Sequence, residues 1–280
     1  MGTSSSSSGP GAGVSFDPPW LDIIASDFLS PQQSIAGEDN GEPIDADTDK
    51  TEPFDLAPPR RFGTARRYLG EYVADGNKDS LRKALGSYSR KGMGGATNVA
   101  RRMRASTAAG VRLFNLLQGI RESSDEKIQD WVRQLSAKNL SFQELADEII
   151  DQIISTGGSL EEESCKNSMA QAMSDFLTDY PDVDLMNMDD DNIWTVIERF
   201  ISNEAFNRLT LDIGQPFESA KYSPKEVVSR LKEMNDYLRA EISAQIQELR
   251  DSNQNPSTKE LDNLLQSAIK ITYEIFEEAI

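Results

Sequence analysis

From residue 60 onward the apolar positions recur at steps of three and four, and no stretch alternates in the period of two that a strand needs. The pattern predicts helices throughout. RRFGTARRYLGEYVADG reads as a short helix ending at Gly76, NKDSLRKALGSYSRKG as a second ending at Gly92, and GGATNVARRMRASTAAGVRLFNLLQGI as a longer third. In the third, Val99, Met103, Ser106, Gly110, Leu113, Leu117 and Ile120 form one seam, and the small residues at 106 and 110 would let another helix approach closely. Beyond 122, three Ser-x-x-Glu boxes (Ser123/Glu126, Ser141/Glu144, Ser159/Glu162) each precede an amphipathic run. Further helices follow over residues 193–211, from Ser223-Pro224 to about Asp251, and after the Asn253–Pro256 turn. The expected fold class is all-α.

The pattern is absent before residue 60. Residues 1–20, MGTSSSSSGPGAGVSFDPPW, offer neither a helix nor a core: Gly and Ser predict a flexible thread, and Pro18, Pro19 and Trp20 a place where it docks. Removal of Met1 would leave the Gly2 α-amine at the tip of a thread reaching about 60 Å when extended. A thin, uncharged chain with an amine at its end suits insertion into another protein's pocket; the same composition also suits a leader with no role of its own. Residues 21–29, LDIIASDFL, hold a short amphipathic piece, and residues 30–59 read as an acidic linker. Asp45, Asp47 and Asp49 imitate a calcium loop, but Lys50 stands where Gly is required and Leu56 where the bidentate Glu should be. The division is therefore tail 1–20, linker 21–59, basic helical block 60–121 and acidic all-α domain 122–280.

Charge sharpens that division. The net charge of −18 over 280 residues hides a sequence of blocks: 1 basic and 11 acidic side chains in 1–59, 14 and 3 in 60–121, and 14 and 33 in 122–280. On the third helix Arg101, Arg104 and Arg112 fall opposite the apolar seam and Arg102 on its flank. With Arg60, Arg61, Arg66 and Arg67 they make a candidate basic surface for an acidic partner, for this chain's own acidic segments or for nucleic-acid phosphates. Gly92-Met93-Gly94-Gly95 invites a phosphate-loop reading but lacks the Gly-Lys-Ser/Thr ending and follows a helix, so an interhelical turn is expected.

Chemistry is sparse. With no histidine and a single cysteine, Cys165, the chain has no Ser-His-Asp or Cys-His constellation, no ordinary zinc site and no internal disulfide. Glu161-Glu162-Glu163 precede Cys165 and would make its thiol a poor nucleophile. Asp189-Asp190-Asp191 sits where a helix start favours negative charge, which explains it without a metal. No catalytic residue, metal site or cofactor of its own is expected. No apolar run is long enough to cross a bilayer and no signal peptide is evident, so a soluble cytoplasmic protein is expected. Met1-Gly2-Thr3-Ser4-Ser5-Ser6 also fits the N-myristoylation pattern, but one acyl chain binds membranes weakly and the next charged segment is acidic.

The opening MGTSSSSSGPGAG with PPW after it, followed by the Arg/Gly block RRFGTARRYLGEYVADG, LRKALGSYSRKGMGGA and ARRM, resembles the B component of the bacterial Qat antiphage-defence system. The resemblance implies an ATPase, a QueC-like enzyme and a TatD-like nuclease as fellow components. QueC-type enzymes use ATP to activate a carboxyl-deazaguanine, so the ATP and the deazaguanine would belong to that partner. If the acceptor is a peptide amine, Gly2 is the candidate acceptor. Thr3, Ser4, Ser5, Ser6, Ser7, Ser8, Gly9 and Pro10 would then lie along the access channel, with Pro18, Pro19 and Trp20 at the tail's base. The competing reading is a nucleic-acid-binding adaptor that uses the basic block.

Overall fold

The computed structural model describes residues 60–280 except 123–124, 139, 155–158, 220 and 253–255. The tail, the amphipathic piece and the acidic linker, with Gly2 to Pro10 and Pro18 to Trp20, lie outside the described residues. What is described is all helical, without a strand.

α1 (Gly63–Asp75) stops where Gly76 takes the left-handed conformation, φ 72°, and returns its N–H to the Tyr72 carbonyl. Asn77 caps α2 (Lys78–Ser87), its side chain accepting from the Asp79 N–H. One π-helical turn, Tyr88–Met93, and the Gly94-Gly95 pair then lead into α3 (Ala96–Arg102). The expected long third helix is two helices. Met103 leaves helical geometry (φ −93°, ψ 12°), its N–H tightening back onto the Ala100 carbonyl, and α4 (Arg104–Glu122) starts with the Thr107 N–H bonded to the Met103 carbonyl. The seam survives the break, since every one of its seven residues is buried.

α5 (Glu126–Ala137) is capped by Asp125, which accepts from the Lys127 N–H. Glu126 is thus the first helical residue and not the third residue of a box begun at Ser123. Both other expected boxes form, at α6 (Phe142–Ile153) and α7 (Leu160–Asp179). Ser223 and Glu226 cap each other ahead of α9 (Pro224–Ser252), and Ser257 with Glu260 forms a further box, not anticipated, before α10 (Thr258–Glu277). Asp189 caps α8 (Asp190–Ile213), accepting from the Asn192 N–H at 2.8 Å.

Residues Phe62–Ile280 share one core built on two helices. α8 lies between α4, α7 and α9, and no residue from Ile193 to Leu209 is exposed: Trp194, Ile197, Phe200 and Leu209 are buried, but so are Ser202, Asn203, Glu204 and Arg208. A stretch covered on all sides has no use for an amphipathic pattern. α10 receives α2, α3, α4 and α9 around it. Gly110 is a close-contact point, because a Cβ there would stand 3.3 Å from Leu265 and 3.4 Å from Ile201. This is the approach that small residues at 106 and 110 predict. Gly86 is tighter still: a Cβ would fall 2.2 Å from the Phe276 carbonyl oxygen.

Candidate functional site

Two buried polar clusters tie the basic helices to α8. In the first, the Glu204 carboxylate, fully buried, accepts from Ser168 Oγ at 2.7 Å, from Ser164 Oγ at 3.1 Å and from Arg208 Nε at 2.9 Å. Arg208 also faces Glu161 at 3.5 Å and donates to Ser106 Oγ at 3.4 Å, so the group spans α4, α7 and α8. Burial opposes the Arg208 charge, but Glu204 and Glu161 outweigh it and raise its pKa. Asn207 Nδ2 completes the ring by donating to Ser168 Oγ at 2.9 Å.

Cys165 belongs to the same cluster, its Sγ 3.8 Å from Ser106 Oγ. Burial, then the charge of Glu204, push its pKa up to about 12. The thiol is therefore as unreactive as the sequence implies, although burial and Glu204 outweigh the Glu161–Glu163 run as the cause.

The second cluster surrounds Asp212 at the end of α8. Arg102 forms an ion pair with its carboxylate and the Tyr88 hydroxyl donates to it at 3.0 Å. Arg66 donates through Nη2 to the Asp212 main-chain carbonyl at 2.8 Å, where the helix dipole is negative. Phe62 stacks on Tyr88 with ring centroids 5.5 Å apart. Arg102, expected on the flank of an exposed stripe, instead turns inward: its side chain is 13% exposed and that of Asp212 9%. The pairing places Arg102 at the break between α3 and α4.

The remaining candidate arginines do not converge. Arg67 is exposed, 3.4 Å from Glu71 and over the Tyr68 ring; Arg101, Arg104 and Arg112 are exposed; Arg60 is exposed and Arg61 half-buried. The acidic helix start is used structurally as well. Asp190 pairs with Arg121 and Asp191 with Arg250, each at 2.7 Å. Among the described residues no group of His, Cys, Asp or Glu could hold a metal, and no helix is long and apolar enough to cross a membrane.

Residues 94–276, well over half of the chain, match the family model described as Qat anti-phage system associated protein QatB. The chain belongs to the QatB family. It is accordingly a component of an antiphage defence system. No curated protein and no solved structure matches it. The QatB match runs from Gly94 through most of α10, so it takes in the whole Glu204 cluster and both Arg102 and Asp212. Neither cluster was readable as such in the sequence. The available hints were the Glu204/Arg208 spacing of four and the pair Ser164 and Ser168, also four apart and flanking Cys165.

Several buried hydroxyls share the fate of the thiol. Burial is the leading cause that raises Tyr72 and Tyr237 to about 12 and Tyr88 and Tyr273 further. The folded state thus keeps protons that the unfolded chain releases near pH 9 to 10. The unfolded state then binds fewer protons, and stability falls with rising pH. Stability from these groups is complete below about pH 9 and is lost as pH climbs toward 12. The urea midpoint is expected to drop steeply across that window, and Cys165 to resist a thiol reagent at pH 8 until urea unfolds the chain.

Proposed function

We propose that this chain is the non-enzymatic scaffold of its Qat complex and, through Gly2, the acceptor substrate of a QueC-like partner. The observation that carries the reading is the Gly/Ser/Pro thread that opens with Gly2, ahead of a helical body belonging to the QatB family. The partner would activate a deazaguanine carboxylate with ATP, releasing pyrophosphate. The unprotonated Gly2 amine would attack the acyl-adenylate, forming an amide and expelling AMP, while the amine proton passes to solvent. Only a thin chain carries an amine into a nucleotide-sized pocket, and Thr3 to Ser8 add no charge and no bulk. Gly9 and Pro10 would continue the thread, with Pro18, Pro19 and Trp20 docking its base. No cofactor of the chain's own is required, since the ATP and the deazaguanine are the partner's.

The body supports a scaffold better than an enzyme: its one thiol is protonated at neutral pH, and the most buried charges are held by structural partners. The system's ATPase and TatD-like nuclease are further candidate partners. Intact-mass and N-terminal peptide spectrometry of the chain, expressed alone and beside the QueC-like enzyme, tests the reading. A mass increase on Gly2 that depends on co-expression and disappears in Gly2→Pro is expected. An unmodified Gly2 in both samples overturns the acceptor role.

A further inference from the structure

α2, the π turn and α3 pack their inner sides on α10. Leu81, Leu85 and Val99 are buried there, and Ser89 Oγ donates to Glu277 at 2.6 Å. Their outer sides carry Lys78, Arg82, Lys83, Arg90, Lys91 and Arg101, all exposed. None of these six forms an ion pair with a described residue; of the later helices, Arg133, Lys138, Lys166, Arg230, Arg250 and Lys270 do, while Lys127, Lys225, Lys232 and Lys259 are spread singly over three helices without one. Lys78 and Arg82 stand one turn apart, a like-charge spacing that weakens a helix. In a chain of net charge −18 these cations thus gather on one side without an ion pair, Asp79 being the acidic residue of α2 one turn ahead of Arg82 and Lys83.

We propose that this outer side binds the phosphate backbone of double-stranded nucleic acid, without reading sequence. Among the described residues the large apolar side chains that are exposed are Phe142, Tyr180, Leu211, Val228 and Ile280, none of them on these three elements. A protein footprint is commonly centred on a desolvated Trp, Tyr or Arg anchor within an apolar patch; this side has no exposed aromatic or large apolar residue, and its arginines Arg82, Arg90 and Arg101 lie exposed among lysines. Single strands are bound by stacking bases on exposed aromatics; the aromatic here, Tyr88, is buried against Phe62. Point cations on a polar surface match a regular array of phosphates, and their binding is driven by counterion release.

The test is fluorescence anisotropy of the full chain with two 20-bp DNA duplexes of unrelated sequence, titrated across salt. Similar affinities for both are expected, with log K falling against log salt at a slope of about −5 for six phosphate contacts. The variant Arg82→Gln/Lys83→Gln/Arg90→Gln/Lys91→Gln, confirmed folded by its thermal melt, should reduce the slope to about −2 and weaken binding at least about 10-fold at low salt. Three results overturn the proposal: no binding at 50 mM salt, a variant that binds like the parent, or poly-glutamate competing as well as DNA, which assigns the surface to an acidic polypeptide. Gly2→Pro leaves DNA binding intact, so the acceptor reading and this one stand or fall separately.

Discussion

Arg208→Met is expected to destabilise the fold by about 3–5 kcal/mol, read from urea unfolding at pH 7. Met reproduces the Arg stem as far as about Nε, so the packing of the stem is kept and loss of the guanidinium accounts for most of the effect. What remains is Glu204, fully buried, with two serine hydroxyls and no positive charge within its cluster. An uncompensated carboxylate in that position is strongly destabilising. Removing both charges, as Glu204→Leu/Arg208→Met, should restore a large part of the stability, since exchanging a buried pair for apolar residues is often near neutral. A double variant as unstable as the single one would mean that the serines and Asn207, not the charge, govern the cluster.

Asp212→Ala is expected to cost about 2–4 kcal/mol, again by urea unfolding. The substitution leaves the Arg102 guanidinium, nearly enclosed, without its carboxylate, and the buried Tyr88 hydroxyl without an acceptor. The contact to Arg66 is different in kind, because it uses the main-chain carbonyl and survives the change. Asp212→Asn keeps an acceptor for Tyr88 but not the charge for Arg102, and should fall between the parent and Asp212→Ala. If the Asn and Ala variants are equally unstable, the ion pair carries the whole effect; if Asn matches the parent, the tyrosine does.

These two clusters also mark where sequence reasoning stopped. Periodicity finds a boundary between an apolar and a polar side, and it succeeded wherever a helix has one. The seam from Val99 to Ile120 is buried along its length, and the boxes at Ser141, Ser159 and Ser223 form, because each is a local contact between residues three apart. α8 has no such boundary. Glu204 and Arg208, four residues apart, look from sequence like an ordinary surface pair, and only the arrival of α4 and α7 on that side buries them. Arg102 was placed on a flank by helical geometry, but its partner lies 110 residues away, and the turn at Met103 interrupts the helix on which the geometry was drawn. The tail, from which the functional reading starts, is legible only as composition.

The place of α10 in the chain has a consequence for biosynthesis. This helix closes the core against α2, α3, α4 and α9, and it is translated after all of them. At roughly 5–20 residues per second, α2 and α3 wait about 10 to 35 seconds on the ribosome with Leu81, Leu85 and Val99 lacking their final neighbour. A nascent chain interrupted before residue 258 would lack the surface on which α2 and α3 bury Leu81, Leu85 and Val99, and apolar residues left exposed in this way favour aggregation. The core described above is therefore finished only after α10 has been made, long after the segment ahead of residue 60 has been translated.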